Sequence, residues 1–288
     1  MTKPIVVGVD GSDSAQQAVR WAAQEAARRK APLRLVHACL VVSAYTPVSL
    51  PKSVSDVLAD EGRRWLRQAS RVASEVAPRV EVSRMLEHRE PAIALVEESG
   101  SAQLMVLGSR GLGGFTGLLV GSVATKLAQR GACPLVVVRG EDGDRTGKPV
   151  VVGVDGSPVS EAAIGFGFEQ AARLGVSLVA VHTWSDMIPA AAFAIVPPAI
   201  EWHQIQIEEL ELLCERLAGW QEKYPDVPVA RIVTRDRPAH SLLEQARDAQ
   251  LVVVGSRGRG GLTGLLLGST SQALLHHAPC PVAVIRPD

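Results

Sequence analysis

The chain has 288 residues, 47% of them hydrophobic, and its 30 Lys and Arg residues balance its 30 Asp and Glu residues. A neutral chain with this apolar content is neither disordered nor suited to binding a nucleic-acid backbone. Its longest weakly polar stretch, 189–200, is shorter than the roughly 20 apolar residues of a membrane span, so we expect a soluble, cytoplasmic protein with no membrane span and no nucleic-acid partner.

The first 140 residues alternate short apolar runs with amphipathic stretches. Continuous β-branched runs are typical of strands buried on both faces of a sheet. Ser12 or Ser14 is the expected N-cap of the first helix. Alternating strands and helices predict an α/β fold, a parallel doubly wound sheet with helices on both faces. Strands are predicted at Ile5–Val9, Leu33–Ala38, Val80–Leu86, Leu104–Leu107 and Leu135–Val138, and helices at 13–30, 55–76, 90–98 and 122–129.

The rest of the chain repeats this plan, with strands predicted near 150–154, 178–182, 229–234, 251–254 and 282–285. The segment PIVVGVDGS at 4–12 recurs as PVVVGVDGS at 149–157. The segment GSRGLGGFTGLLVGSV at 108–123 recurs as GSRGRGGLTGLLLGST at 255–270. A repeat of this length indicates a duplicated domain. We therefore predict domains at 1–140 and 149–288, joined by the polar linker 141–148.

A glycine-rich loop follows the fourth predicted strand of each half and ends where a helix begins. Glycines let backbone N–H groups approach an anion, and the start of a helix favours negative charge. The loops therefore predict a phosphate site, although a tight turn without a ligand is the alternative. The predicted cofactor-binding residues are Gly108, Ser109, Arg110, Gly111, Leu112, Gly113, Gly114, Gly121, Ser122 and Val123, and in the second half Gly255, Ser256, Arg257, Gly258, Arg259, Gly260, Gly261, Gly268, Ser269, Thr270 and Ser271.

Two common nucleotide motifs do not fit these loops. A GxxxxGK[ST] motif needs a Lys before the hydroxyl residue, but Gly121 and Gly268 stand there. A GxGxxG motif normally follows the first strand of the fold, whereas these loops follow the fourth. Neither a P-loop nucleotidase nor a dinucleotide dehydrogenase is supported.

Asp10 and Asp155 end the first predicted strand of each half. Doubly wound folds bind ligands in the crevice where the strand order reverses, and a carboxylate there accepts hydrogen bonds from ribose or an amino group. The alternative is that Asp10 caps the next helix. His37 and His182 end the second strands, where we expect core or rim positions. The remaining predicted contacts to a nucleoside are Gly8 and Val36, and in the second half Gly153 and Val181.

The whole chain resembles tandem members of the universal stress protein family. The resemblance rests on the VGVDGS segments that open each half, on both glycine loops, and on the closing segments ACPLVVV and PCPVAVI. The resemblance implies Rossmann-like domains with strand order 3-2-1-4-5, each binding ATP, with or without Mg²⁺. It places Asp10 and Asp155 at the nucleoside and the loops at the triphosphate. It also implies a homodimer that regulates stress response or growth through an unidentified protein partner. The two loops depart from each other at Val123 and Thr270, which predicts unequal sites.

Three functions stay open on the sequence. Phosphoryl transfer needs charged groups around the phosphates, and the loops contain neither a carboxylate nor a Walker Lys. We therefore predict a nucleotide-binding regulator without catalytic residues and with at most weak ATPase activity. A slow adenine-nucleotide hydrolase or transferase, and an interaction scaffold with a structural nucleotide, are the alternatives.

The four cysteines contain no CxxC pair and predict neither a disulfide framework nor a metal site. Cys133 and Cys280 precede the last predicted strand of each half. We expect both to be buried apolar residues rather than reactive thiols.

Overall fold

The computed structural model describes residues 2–39, 52–111, 120–140, 145–184, 202–259 and 266–286. The chain divides into two compact units, unit 1 (1–139) and unit 2 (140–287). Within the described ranges, no helix combines the length and apolar character needed to cross a membrane.

Unit 1 alternates strands with helices, as predicted. Its third strand begins at Val82 rather than at the predicted Val80, because the Val80 N–H donates to the Ala77 carbonyl (3.1 Å) in a turn. The strands are β1 (Ile5–Gly8), β2 (Leu33–Ala38), β3 (Val82–Glu87), β4 (Leu104–Gly108) and β5 (Leu135–Val138), and the helices are α1 (Asp13–Arg29), α2 (Lys52–Val76), α3 (Pro91–Ser99) and α4 (Ser122–Arg130).

Unit 2 has the same sequence of elements. The strands are β6 (Val150–Val154), β7 (Leu178–Thr183), β8 (Val229–Thr234), β9 (Leu251–Gly255) and β10 (Val282–Ile285), and the helices are α5 (Pro158–Leu174), α6 (Trp202–Lys223), α7 (Pro238–Ala246) and α8 (Ser269–His277).

All strands within each unit pair in parallel. The order in unit 1 is β3-β2-β1-β4-β5, and the order in unit 2 is β8-β7-β6-β9-β10. The predicted α/β class and strand order are therefore confirmed. The chain moves outward in one direction from the first strand and then returns to the fourth strand on the other side. This reversal puts the carboxyl ends of β1 and β4 side by side in unit 1, and those of β6 and β9 in unit 2.

The sheets are covered on both faces. All four residues of β5 and of β10 are buried, and successive strand residues point to opposite faces. Helices α1 and α2 pack together, as do α3 and α4, and each pair contacts the sheet. Cys133 and Cys280, at 8% and 0% exposure, belong to this buried interior.

The first helix of each unit starts on a serine cap. The Ser12 hydroxyl accepts a hydrogen bond from the Ala15 N–H (3.2 Å), and the Ser157 hydroxyl accepts one from the Ser160 N–H (3.2 Å). A cap of this kind satisfies one of the free N–H groups of the first turn. Ser12, rather than Asp10 or Ser14, therefore fixes where α1 begins.

Candidate functional site

An Asp-Gly-Ser turn follows the first strand of each unit. In unit 1, Asp10 Oδ1 accepts hydrogen bonds from the Ser12 N–H (3.0 Å) and hydroxyl (2.6 Å). In unit 2, Asp155 Oδ1 accepts the same two bonds from Ser157, at 2.9 and 2.7 Å. The intervening glycine has a φ of +87° in unit 1 and +75° in unit 2, a conformation that glycine adopts readily. Each turn holds a carboxylate at the strand-order reversal.

The glycine loop touches this carboxylate in both units. Asp155 Oδ2 accepts a 3.0 Å hydrogen bond from the Arg259 N–H. A Cβ at Gly258 would lie against the same oxygen, and a Cβ at Gly111 would lie against Asp10 Oδ2. The residues after β4 and β9 therefore pack against the turns after β1 and β6, a contact called here the Asp–loop clasp.

The two ends of each loop are tied together as well. In unit 1 the Ser109 N–H donates to the Val138 carbonyl (3.0 Å), and the Gly121 N–H donates to the Ser109 carbonyl (3.0 Å). The matching bonds of Ser256 and Gly268 in unit 2 are 2.6 and 2.8 Å long. The backbone thus returns to the end of the fourth strand just before the next helix begins.

Helices α4 and α8 start at this point without a side-chain cap. Their N-cap residues are glycines that make no side-chain hydrogen bond. Ser122 and Ser269 are exposed in the first turn, followed by half-buried Val123 and Thr270. First-turn N–H groups have no partner within their own helix and carry the positive end of its dipole. Both helices therefore offer an anion site beside the clasp.

Four of the predicted glycines face the protein interior. A side chain at any of them would meet a packed neighbour, so they allow close approach of helices and strands, and a ligand contact through them stays a prediction. The nearby residues are Leu95 at Gly8, Ser14 at Gly108, Leu242 at Gly153 and Val159 at Gly255.

Other predicted residues lie beside the crevice or outside the described ranges. Val36 and Val181 are buried, at 1% and 2% exposure, and the Val36 carbonyl accepts the Val9 N–H (2.8 Å). The buried Ser271 hydroxyl donates to the Gly255 carbonyl (2.6 Å). Arg110 and Arg257 are exposed where the loops begin. The residues outside the described ranges are Leu112, Gly113, Gly114, Gly260 and Gly261.

The two histidines occupy core positions next to the crevice, in line with the expected core or rim location. His37 Nδ1 donates to the Val9 carbonyl, and His182 Nδ1 to the Val154 carbonyl, both at 2.7 Å. Their exposures are 7% and 5%. His182 Nε2 also lies 2.8 Å from a Glu209 carboxylate oxygen.

Sequence reasoning missed two side chains that reach the Asp-Gly-Ser turns. Trp65 of α2 lies against Gly11 in unit 1 and makes an edge-on contact with His37 (5.1 Å between ring centroids). In unit 2, Arg216 Nη1 of α6 donates a hydrogen bond to the Gly156 carbonyl (3.4 Å). Neither belongs to a motif shared by the two halves, so no sequence signal pointed to them.

Two arginines of unit 2, Arg257 and Arg286, lie just beyond the adjacent ends of β9 and β10. Burial lowers the pKa of Arg286, which directly follows β10, and the nearby Arg257 guanidinium lowers it further. Like charges disfavour each other's ionised form. An anion at this edge of the sheet would relieve that repulsion.

The fold and the site together define a tandem pair of parallel α/β units with a glycine loop at each strand-order reversal. A sequence profile of the universal stress protein family matches residues 1–139 and 147–286. The chain belongs to the universal stress protein family.

Full-length relatives and a solved structure agree with this assignment. A universal stress protein of Mycobacterium tuberculosis is 44% identical over 298 residues, covering 99% of each chain. One from Mycolicibacterium smegmatis is 42% identical over 290 residues, covering 98% of this chain and 97% of the relative. The crystal structure of a universal stress protein from Archaeoglobus fulgidus superimposes with a TM-score of 0.73 over 98% of both chains at 16% identity, which supports the fold.

Proposed function

We propose that each unit binds one ATP at its strand-order reversal and that occupancy of these sites regulates a stress response or growth. The observation that carries the proposal is the pairing of the Asp–loop clasp with an uncapped helix N-terminus in both units. The first turns of α4 and α8 present backbone N–H groups that are already ordered in their helices, which lowers the entropic cost of binding. Membership of the universal stress protein family supports the same ligand.

The described residues fit a nucleotide in two parts. The first turns of α4 and α8, with the hydroxyls of Ser122 and Ser269, would hold phosphate oxygens through N–H and O–H donors. Asp10 and Asp155 would receive the nucleoside, since an ionised carboxylate has about four acceptor positions. In unit 2, three acceptor positions of the Asp155 carboxylate are already occupied, two by Ser157 and one by Arg259. The loops need no Lys for this mode of binding.

The hydrogen bonds that the two carboxylates accept favour a regulator over a hydrolase. A general base must be placed to take a proton from an attacking water. Asp10 and Asp155 instead each accept two bonds from the serine of their own turn. We extend the proposal to a cytoplasmic homodimer whose contacts with a protein partner follow nucleotide occupancy, with or without Mg²⁺.

Mass spectrometry of small molecules released by denaturing freshly purified protein tests the ligand. We expect ATP, and isothermal titration of stripped protein should then return one ATP for each unit. Absence of any adenine-nucleotide binding would contradict the proposal. A steady turnover above about 1 s⁻¹, the low end of ordinary enzymes, would replace the regulator with a hydrolase. Gel filtration with and without ATP tests the homodimer.

A further inference from the structure

The two crevices differ in what covers the Asp-Gly-Ser turn. In unit 2 a Cβ at Gly156 would lie 2.5 Å from Arg216 Cζ and would also contact a terminal nitrogen of Arg259. In unit 1 the three atoms nearest to a Cβ at Gly11 all belong to the Trp65 indole. A neutral ring in unit 1 thus occupies the place of two guanidinium groups in unit 2.

The guanidinium pair of unit 2 is only partly neutralised. Arg216 Nη1 is 3.0 Å from a Glu161 carboxylate oxygen. In the part of unit 2 that the structure describes, no carboxylate lies within ion-pair distance of the exposed Arg259 guanidinium. Two adjacent guanidinium groups repel each other, and an anion bridging them removes that cost. Arg forks match phosphate oxygens in geometry and bind them through charge-assisted hydrogen bonds.

The loop sequence supports the same asymmetry. The segment GSRGRGG at 255–261 places Arg259 where GSRGLGG at 108–114 has Leu112. The Arg259 backbone is anchored on Asp155 by its 3.0 Å hydrogen bond. The guanidinium therefore starts from a fixed point beside the nucleoside carboxylate and the uncapped start of α8.

We propose that the two sites differ in kind: unit 2 selects nucleotides by phosphate charge through Arg216 and Arg259, whereas unit 1, walled by Trp65, does not. The inference rests on the proposed function, because it assumes an adenine nucleotide in each crevice. It assigns to unit 2 the more highly charged di- and triphosphates. Its binding is also the more salt-sensitive, since exposed charges are screened within about 10 Å at 0.1 M salt.

Full-length proteins with one site blocked separate the two units. Gly111→Val leaves unit 2 available and Gly258→Val leaves unit 1 available, and ATP and AMP are titrated into each at low and high salt. We expect the ATP-to-AMP affinity ratio of unit 2 to exceed that of unit 1 by about tenfold or more. Arg259→Leu in the Gly111→Val protein should lower the ratio by about tenfold, and Arg216→Gln should lower it in the same direction. Arg173→Leu, in the last turn of α5, is the matched control and should leave the ratio unchanged.

The outcomes distinguish the inference from the proposed function. Equal ratios in the two units, or an unchanged ratio in both arginine variants, would overturn the inference while ATP binding stands. No binding of ATP or AMP by either blocked protein, nor by the unblocked chain, would overturn the proposed function and the inference with it. Circular dichroism on each variant establishes that a lower ATP-to-AMP affinity ratio reflects a change at the site rather than unfolding.

Discussion

The Asp155 carboxylate accepts a 3.0 Å hydrogen bond from the backbone N–H of Arg259, which lies 104 residues later in the chain. The bond joins the turn after the first strand of unit 2 to the loop after its fourth strand. The fold makes it possible because β6 and β9 are neighbours. Asp155 therefore holds the described start of the loop, Gly258 and Arg259, against the turn.

Replacing that aspartate should release the loop. In Asp155→Asn, an amide that keeps its oxygen on Ser157 turns its NH₂ toward the Arg259 N–H, so a donor faces a donor. Losing a hydrogen bond to a charged group costs about 1.5–3 kcal/mol, which predicts roughly 10- to 100-fold faster hydrogen exchange at the Arg259 amide. Asp248→Asn, whose side chain is 92% exposed, is the control. Unchanged exchange at Arg259 would show that the clasp does not hold the loop in solution.

The glycines of the clasp should control ATP affinity one unit at a time. A methyl group at Gly111 or Gly258 would meet the carboxylate of Asp10 or Asp155, which the serine of its own turn holds in place, so the substitution should disturb the clasp. We expect each Ala variant to weaken ATP binding at its own unit by about tenfold or more, and the double variant to weaken it at both units. Calorimetric titration measures the ATP affinity of each unit.

Gly219→Ala is the matched control for these glycine variants. Among the described residues, no heavy atom beyond the backbone of its own helix lies within 4 Å of a Cβ at Gly219 in α6. Alanine in a helix interior is better than glycine by about 1 kcal/mol, so this variant should bind ATP normally and melt slightly higher. Normal ATP binding by Gly111→Ala and Gly258→Ala would place the nucleotide elsewhere.

A buried ion pair in α1 predicts a stability effect confined to unit 1. Arg29 Nε and Glu25 Oε1 are 2.5 Å apart, with side-chain exposures of 7% and 0%. Glu25→Gln removes the buried negative charge beside the Arg29 guanidinium, and breaking a buried ion pair costs roughly 3–5 kcal/mol. The matching positions in α5 hold Gln170 and Leu174, so Glu25→Gln with Arg29→Leu should recover most of the loss. Urea unfolding measures the free energy of unfolding of both variants. Equal destabilisation of the single and the double variant would contradict the account.

The thiols should differ in reactivity because they differ in burial. Desolvation raises the pKa of Cys133 to about 12, since burial disfavours the thiolate. Because the folded pKa is raised, stability is highest below the unfolded pKa and falls as pH rises from there toward the folded value. At pH 8 iodoacetamide should modify half-buried Cys39 and Cys214 well before Cys133 and Cys280. Mass spectrometry of the labelled protein tests this order, and rapid labelling of Cys133 would contradict it.

Much of the architecture was predictable because it is encoded locally. The β-branched runs and helical spacings located the strands of both units and the helices of unit 1 within a few residues of their observed bounds. The duplicated motifs established that one plan occurs twice. Boundaries such as the start of β3 at Val82 were missed, since they depend on a turn bond between Val80 and Ala77 that propensity does not report.

The candidate site was predictable only as a set of backbone positions. Glycine spacing and the Asp-Gly-Ser turns identified the crevice because glycine at fixed intervals has a direct conformational meaning. Trp65 and Arg216 were not predictable, since they lie on α2 and α6 outside any motif. Their side chains reach the turns only because each helix packs against the first helix of its own unit.

The sequence by itself determined that this protein is a duplicated parallel α/β chain of the universal stress protein family, with a glycine loop in each half. The tertiary structure showed which contacts join those loops to Asp10 and Asp155, through Gly111, Gly258 and the Arg259 N–H. It alone also showed that an indole covers one turn and two guanidinium groups the other. The physical reason is that local patterns act through neighbours along the chain, whereas a crevice is lined by side chains from elements that meet only after packing.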